Sequence, residues 1–234
     1  VTVVNKKDAG VSITTPPTSK TYGDADFTVT AANGVTESTG NNGKWTWTSS
    51  DDTVLEIISG ANTATPTIKV KKADTAGATL TVTYSSITHY GTAKVTIKVN
   101  KKDVTITGLS AGSKVYDGNT TANATGAAVI NGKVGSDDVT VTAGTASFDN
   151  ENVGTDKTVT FTGYSLSGAD AGNYNLKAQP ASVTANITAK DVKLTGGINA
   201  TDRSYVKDNT TVELTKGTPT FTGLVGSDKL DVDI

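Results

Sequence analysis

The sequence contains no cysteine, no methionine and only one histidine, His89, among its 234 residues. Without cysteine the chain can form no disulfide, no thiolate metal site and no cysteine nucleophile. A lone histidine leaves a histidine metal cluster or a histidine-based triad nothing else to recruit. We interpret His89, at the end of a predicted strand, as a structural or solvated residue. The missing cysteine is compatible with an extracellular bacterial protein that core packing alone stabilises.

An excess of positive charge is lacking as well. The chain has 21 Lys and Arg against 23 Asp and Glu, which gives a net charge of −2 and a pI near 5.4. No global positive field attracts nucleic acid or anionic lipid, so neither is expected as a partner. No apolar run has the length of a signal peptide or a membrane span, so we predict no membrane insertion. Because the chain begins at Val1 without an initiator methionine, we expect it to be processed or excised from a longer protein.

Glutamate is rare, and the acidic residues lie mainly in turn sequences such as GSDD and DADF. Glycosidase-like chemistry needs two carboxylates held across a cleft, which this distribution does not favour. We therefore predict that the protein is not an enzyme. We expect no catalytic residue, no cofactor-binding residue and no metal-binding residue.

Polar and apolar residues alternate along six short segments of the first hundred residues, and threonine is the usual polar partner. Such alternation is typical of half-buried β-strands, and the stretches rich in Gly and Asn that separate the segments are typical of turns. No stretch has a convincing helical pattern. The predicted strands are VSIT at Val11, FTVTA at Phe27, WTWT at Trp45, TIKV at Thr67, TLTVTY at Thr79 and AKVTIKV at Ala93.

A second block of the sequence follows the same plan with seven predicted strands. Seven short strands at this spacing are typical of an immunoglobulin-like β-sandwich. The predicted fold class is therefore all-β, with tandem immunoglobulin-like β-sandwich domains arranged end to end. The seven segments are DVTITGL at Asp103, TTANATGAAVI at Thr120, DVTVTAG at Asp138, TASF at Thr145, KTVTFTGYSL at Lys157, NYNLKA at Asn173 and ASVTANI at Ala181.

Internal repeats organise the chain. The pentapeptide VNKKD at Val4–Asp8 returns at Val99–Asp103, 95 residues later. A third start is marked by four matches whose offsets drift slowly from 88 to 91 residues, as single-residue loop insertions in homologous repeats would produce. These matches are DVKLTG at Asp191 with DVTITG at Asp103, Tyr205 with Tyr116, NTT at Asn209 with NTT at Asn119, and VGSD at Val225 with VGSD at Val134.

The repeats predict four segments and their joints. Residues 1–4 form the final strand of a preceding repeat, 5–101 and 102–189 each form a sandwich, and 190–234 form a partial third repeat. Each VNKKD is a last strand that runs into the first strand of the next repeat, so we expect short, semi-rigid joints and a rod. The partial repeat is expected to be either an excerpt of a longer array or a sandwich completed by strands of another chain.

The stretch DAGNYNL, Asp170–Leu176, fits the tyrosine corner of immunoglobulin-like sandwiches. In that motif a tyrosine near the start of the sixth strand hydrogen-bonds back across a loop, two residues before a buried core position. Tyr174 is predicted to be this tyrosine, and Leu176 is predicted to be the core residue. Tyrosine suits such a position because its ring can be buried while its hydroxyl finds a partner.

Several motifs of the second block carry a family resemblance. KVYDGNTTA (Lys114–Ala122), VGSDDV, the FDNENVGT stretch at Phe148 and LSGADAGNY (Leu166–Tyr174) resemble the YDG repeat of large bacterial surface proteins. The first block, with KTYGDADFTVTA and WTWTSSDDTVLEI, is similar to the related MBG and group 2 bacterial Ig-like repeats. The third block has SYVKDN where the pattern expects VYDG. The resemblance implies tandem β-sandwich modules on secreted or surface-anchored proteins, usually as stalks or adhesin segments, and it implies no catalytic residues.

Four further features have a structural and a functional interpretation. Trp45 and Trp47 project from one face of a strand, where they are either core residues or a two-ring platform for a sugar or a partner; we predict core for at least one. The run DNEN at Asp149–Asn152 is either a solvated loop, which we favour, or a calcium ligand set.

Lys114 is a candidate for an isopeptide crosslink. Five N-x-S/T matches, at Asn119, Asn123, Asn186, Asn199 and Asn209, follow from composition alone.

These observations favour a structural function, as a stalk or spacer of a bacterial cell-surface adhesin or fibre. Its expected partners are neighbouring repeats of the same polypeptide. One alternative is a module that binds a host or cell-surface glycan or protein. Another is a subunit of a surface layer or filament lattice. Each places the protein outside the cell.

Overall fold

A computed structural model describes residues 5–37, 42–202 and 211–234 of the chain. The chain divides into two units. The first comprises residues 1–107, 129–142 and 165–179, and the second comprises residues 108–128, 143–164 and 180–234. Strands β11 (Lys102–Gly112) and β13 (Thr121–Asn131) contribute residues to both units. The predicted strand of residues 1–4 lies outside the described residues.

The first unit contains thirteen further described strands, most of them short. All six segments predicted from alternation in the first block contain a strand. The bounds are β1 (Lys7–Asp8), β2 (Ser12–Thr14), β3 (Ser19–Thr21), β4 (Phe27–Thr28), β5 (Thr30–Ala32), β6 (Lys44–Ser49), β7 (Leu55–Ser59), β8 (Thr67–Val70), β9 (Asp74–Ser85), β10 (His89–Asn100), β14 (Thr140–Thr142), β17 (Ser165–Ser167) and β18 (Tyr174–Leu176).

The first unit is a sandwich of sheets around a shared core. One sheet has the order β1-β10-β9-β6, with β3 also paired to β10, and a second has the order β4-β8-β7. Alternate residues of each sheet point inwards because side chains change face at every residue of a strand. The buried set combines Trp47, Leu80, Val82, Ile97 and Val99 of the first sheet with Leu55, Ile68 and Val70 of the second.

Strand β7 was not predicted from alternation. In its sequence LEIIS, apolar and polar residues alternate only over Leu55, Glu56 and Ile57, which is too short a pattern to identify a strand. Its identity comes from pairing with β8, where Leu55 lies opposite Val70 and Ile57 lies opposite Ile68. Leu55 is fully buried, so tertiary packing selects the strand here.

The second unit contains the other described strands, β12 (Lys114–Val115), β15 (Thr145–Phe148), β16 (Gly154–Thr162), β19 (Val183–Thr188), β20 (Lys193–Ala200) and β21 (Leu214–Thr222). One sheet has the order β12-β19-β16-β15-β13, and among the described strands β20 pairs with β21 alone. The core of the unit contains Phe148, Val159, Phe161 and Ile187. The segment KTVTFTGYSL, predicted as one strand, is two strands, because Gly163 adopts a left-handed φ of +73° after β16.

The hairpin of β20 and β21 belongs to the predicted third repeat. Leu194 lies opposite Phe221 and Ala200 lies opposite Leu214 in its antiparallel register. Leu194 and Leu214 are exposed, at 36% and 53%. The hairpin therefore has an apolar surface that no described strand covers.

The chain is all-β, with sheets packed as a sandwich in the first unit, as predicted. Its arrangement as tandem immunoglobulin-like repeats remains a prediction. The described residues contain no α-helix, only a single 3₁₀ turn at Ala171–Asn173. Within the described ranges, no helix is long and apolar enough to cross a membrane. The segment bounds 5–101, 102–189 and 190–234 remain predictions.

Candidate functional site

Two tyrosine side chains of the first unit meet at one carboxylate. The hydroxyls of Tyr22 and Tyr174 both donate hydrogen bonds to Oδ2 of Asp137, the first over 2.8 Å. The Tyr174 hydroxyl also accepts a hydrogen bond of 2.9 Å from the backbone N–H of Val134. Tyr22 lies in the predicted repeat 5–101, and the other three residues lie in the repeat 102–189. The cluster therefore joins two sequence repeats inside one unit, and we name it the joint cluster.

Each member of the joint cluster is held by its backbone. Tyr22 follows β3, and its N–H donates a 2.9 Å hydrogen bond to the carbonyl of Asn100 at the end of β10. Tyr174 opens β18, which runs parallel to β11 with Tyr174 opposite Lys102. Asp137 closes a turn in which its N–H donates to the carbonyl of Val134 over 3.1 Å. The three side chains are therefore brought together by strand ends and a turn.

The two tyrosine rings pack edge to face. Their centroids are 5.5 Å apart, and their planes are inclined by 79°. Both rings belong to the apolar cluster of the first unit, together with Val99, Val104 and Val139. This geometry places the positive edge of one ring against the negative face of the other, which stabilises the pair beyond the area that it buries.

Gly23 permits the turn Val134–Asp137 to approach Tyr22. Its φ is +82°, a backbone conformation that residues with a side chain rarely adopt. A Cβ at this position would lie 2.5 Å from Cγ2 of Val134. Any other residue would be strained at this position and would also push Val134 away. The adjacent residues Tyr22 and Gly23 therefore provide a hydrogen-bond donor and the space into which the Val134 side chain packs.

The surroundings keep both phenols protonated. Burial, followed by the hydrogen bond to Asp137, raises the pKa of Tyr22. Burial raises the pKa of Tyr174 to about 12, with a further contribution from Asp137 and an opposing one from the Val134 N–H. A phenol that stays neutral at physiological pH serves as a donor to the carboxylate. The chemistry of the joint cluster is structural hydrogen bonding.

A second contact joins the same two repeats. The side-chain oxygen of Asn173 accepts a hydrogen bond of 2.9 Å from the backbone N–H of Ala73. Asn173 is 8% exposed, and it ends the 3₁₀ turn that precedes Tyr174. A buried amide without a partner would be costly, so this bond satisfies Asn173 only while the two repeats stay in contact.

In the second unit, the turn after β12 is held by one lysine. Nζ of Lys114 donates to Asp117 over 2.7 Å, to the carbonyl of Asn119 over 2.6 Å and to the Asn119 side chain over 3.0 Å. Gly118, between these two acceptors, has a left-handed φ of +73°. The residues Tyr116 to Asn119 thus form a tight turn.

Residues 100–183 match a YDG domain. The match confirms the predicted resemblance of the second block to YDG repeats. The related MBG resemblance of residues 5–101 remains a prediction. In the third block, SYVKDN lies outside the described residues.

Two solved structures resemble the chain at low identity. The three N-terminal domains of the bacteriophage RB49 Highly Immunogenic Outer Capsid protein (Hoc) share 18% identity with it, with a TM-score of 0.32, over 67% of this chain and 50% of that one. The I9–I11 tandem of titin shares 13% identity, with a TM-score of 0.21, over 80% of this chain and 69% of that one. The chain thus spans about half the length of the Hoc fragment. No curated protein matches the chain.

The predicted tyrosine corner of the YDG domain is only partly correct. The Tyr174 hydroxyl does reach back across a loop, to Val134 and Asp137. Leu176, predicted as a buried core residue, is half-buried. Its strand β18 lies at the margin of a sheet and pairs only with β11, so the side chain has neighbours on fewer sides.

The two indoles do not form an exposed platform. Trp47 is 3% exposed, and its Nε1 donates a 3.0 Å hydrogen bond to the carbonyl of Thr63. Trp45 is half-buried and packs on the ring of Tyr84, with centroids 4.8 Å apart. Trp47 confirms the prediction that at least one indole belongs to the core.

The lone histidine lies at the start of β10 among polar neighbours. Nδ1 of His89 is 2.8 Å from the hydroxyl of Thr88 and 3.6 Å from a carboxylate oxygen of Glu37. The same oxygen of Glu37 accepts a 3.0 Å hydrogen bond from Tyr84. The structure thus places His89 in a local hydrogen-bonded group.

The remaining candidates are engaged in local contacts. In the DNEN run, Nζ of Lys157 is 3.0 Å from Asp149 and donates to Asn150 over 2.6 Å, so an ammonium group contacts these oxygens. Lys114 does lie beside an Asn and an acid, but Asp117 is 46% exposed, unlike the buried set that an isopeptide bond requires. Of the glycosylation matches, Asn119 and Asn186 accept backbone hydrogen bonds, and Asn209 lies outside the described residues.

Two members of the joint cluster, Tyr22 and Asp137, were not singled out from the sequence. The recurrence of VGSD and of a tyrosine at a matching offset was visible. This recurrence did not indicate that the tyrosine of one repeat would contact the VGSD turn of the next, because Tyr22 and Asp137 are 115 positions apart.

Proposed function

We propose that the chain is a non-catalytic stalk or spacer region of a bacterial cell-surface adhesin or fibre. The match of residues 100–183 to a YDG domain supports a structural or binding repeat module. The finer role is inferred from how successive repeats are joined. Its partners in this role are the neighbouring repeats of the same polypeptide, and its place is outside the cell.

The joint cluster is the observation that carries the proposal. Asp137 accepts hydrogen bonds from a tyrosine of its own repeat and from Tyr22 of the preceding one, and both rings are buried. A hydrogen bond to a charged acceptor contributes more than one between neutral groups, about 1.5–3 kcal/mol. A joint with such a cluster resists bending better than a flexible linker, as a spacer requires.

The strand pairing at the start of each repeat also suits a load-bearing role. Strand β1 pairs in parallel with β10, and β11 pairs in parallel with β18. When the two ends of a repeat are pulled apart, a parallel pair is loaded in shear, so its hydrogen bonds must break together. With no cysteine in the chain, these bonds and the core carry the load without a disulfide.

The proposal is tested by replacement. The chain is placed on a bacterial surface between an anchoring module and a distal antigen-binding domain, and capture of antigen-coated beads is measured. We expect capture to fall when the chain is deleted and to be retained when it is replaced by unrelated β-sandwich repeats of equal length. If only the native chain supports capture, its own surfaces take part in binding, and the spacer role is overturned.

A further inference from the structure

The second unit contains a turn with the same letters as the turn of the joint cluster. Val225–Asp228 reads VGSD, as Val134–Asp137 does. The N–H of Asp228 donates to the carbonyl of Val225 over 3.0 Å, which matches the 3.1 Å bond in the first turn. The two turns therefore have the same sequence and the same closing hydrogen bond.

The tyrosine of the YDG motif lies beside this second turn. Tyr116 and Asp228 line the same cavity, and the interaction with the Asp228 carboxylate is the main cause that raises the pKa of the tyrosine. Tyr116 belongs to the YDG domain, and Asp228 belongs to the predicted third repeat. The pairing thus repeats the relationship of Tyr22 to Asp137, one repeat further along the chain.

In both turns, the valine side chain packs against a glycine that leaves room for it. A Cβ on Gly118 would lie 3.0 Å from Cγ1 of Val225, as one on Gly23 would lie 2.5 Å from Cγ2 of Val134. Both glycines have a left-handed φ, of +73° and +82°. The spacing differs slightly, because the glycine follows the tyrosine directly in Tyr22-Gly23 and after one residue in the YDG motif.

The second contact has an apolar cavity beside it. This cavity, of about 200 Å³, is lined by Tyr116, Val153, Val192, Leu224 and Leu230 among others. In the joint cluster, a second tyrosine, Tyr174, shares the carboxylate. Among the described residues of the second unit, Tyr116 is the only tyrosine that lines this cavity, so the second contact is expected to be the weaker of the two.

We propose that the YDG motif is a docking element whose partner is the Val-x-x-Asp turn of the repeat that follows it. The tyrosine donates to the aspartate, and the left-handed glycine receives the valine. The valine and the aspartate of the turn are three residues apart, so the motif selects a following repeat that presents both side chains at that spacing. Only such a repeat is held in contact with the motif. Any other repeat at this place is connected to it by the polypeptide chain alone. The inference deepens the proposed structural function by naming the partner surface of the motif.

The test is a double-mutant cycle on the full chain, with Tyr116→Phe, Asp228→Asn and the double variant. Amide hydrogen exchange is followed in Lys193–Ala200 and Val225–Asp228. We expect each single variant to speed exchange there by about threefold, and the double variant to add little, because either change removes the same bond. The control Tyr90→Phe, at a tyrosine 49% exposed, should leave exchange unchanged.

A glycine pair tests the second recognition point. Gly118→Ala and Gly163→Ala impose the same strain, since both glycines have φ of +73°, but the nearest atom to a Cβ is at 3.0 Å in the first and at 3.8 Å in the second. We expect faster exchange in Val225–Asp228 only for Gly118→Ala. Additive effects in the tyrosine cycle, or equal exchange in the glycine pair, overturn the inference. Either result leaves the bead-capture test of the spacer role unaffected, so the two proposals fail separately.

Discussion

Tyr22 and Tyr174 come from different sequence repeats, and their rings meet edge to face at 5.5 Å beside a carboxylate that both hydroxyls share. Each ring buries the other from water, which strengthens both hydrogen bonds to Asp137. Removal of one tyrosine therefore affects the packing and the electrostatics of the other. The predictions below separate these contributions.

Tyr22→Phe should destabilise the first unit by about 1–3 kcal/mol, because it removes one hydrogen bond to a charged acceptor and retains the ring. Urea denaturation of the full chain measures the change, with the fluorescence of Trp45 and Trp47 as the probe for this unit. Tyr90→Phe is the matched control. Its ring is 49% exposed, so its effect should stay within about 0.5 kcal/mol. Equal effects of the two substitutions would show that the hydroxyl of Tyr22 contributes nothing.

Alkaline pH should weaken the joint cluster. Burial and Asp137 raise the pKa of Tyr22 and raise that of Tyr174 to about 12, against about 10 for tyrosine in an unfolded chain. A group whose folded pKa is raised contributes stability that is fully present below its unfolded pKa and is lost as pH rises through the folded value. The free energy of unfolding should therefore fall between about pH 10 and pH 12, beyond the decline due to lysine titration.

The variant with both Tyr22→Phe and Tyr174→Phe isolates this contribution, since it retains every lysine. Its unfolding free energy should depend less steeply on pH above about pH 10 than that of the wild type. Identical slopes would place the alkaline loss of stability elsewhere in the chain.

Gly23→Ala should destabilise the first unit by more than the strain of a left-handed residue, which is about 1–2 kcal/mol. The added methyl group would lie 2.5 Å from Val134, so the turn must also shift. Gly10→Ala is the control for strain alone, because Gly10 has φ of +58° and its nearest neighbour is at 3.8 Å. Thermal unfolding compares the two variants. A smaller loss of stability for Gly23→Ala than for Gly10→Ala would contradict the packing of Val134 against Gly23.

Trp47→Ala should cost about 3–5 kcal/mol, as large-to-small substitutions of buried aromatic residues do. Trp45→Ala should cost less, because Trp45 is half-buried against Tyr84. Chemical denaturation monitored by circular dichroism ranks the two. The reverse order would mean that the indole of Trp45, rather than that of Trp47, supports the core.

The sequence alone predicted much of the local structure. Alternation of threonine with apolar residues predicted six segments of the first block that each contain a strand, because side chains on a strand change face at every residue and one face is buried. The repeated VNKKD and VGSD sequences led to the segment bounds 5–101, 102–189 and 190–234, which stay predictions. Strand β7 and the break at Gly163 were missed, since LEIIS alternates over only three residues and a single glycine within a strand pattern is ambiguous.

Tertiary structure decided the pairings that are distant in the chain. Alternation placed both indoles on one face, but only packing showed that Trp47 is enclosed while Trp45 remains at the margin. The two VGSD turns were visible as repeated letters, yet their partners Tyr22 and Tyr116 were identified only in three dimensions. A repeat in sequence reports which residues are equivalent, whereas a hydrogen bond depends on which atoms folding brings within about 3 Å, and for Tyr22 and Asp137 that approach spans 115 residues.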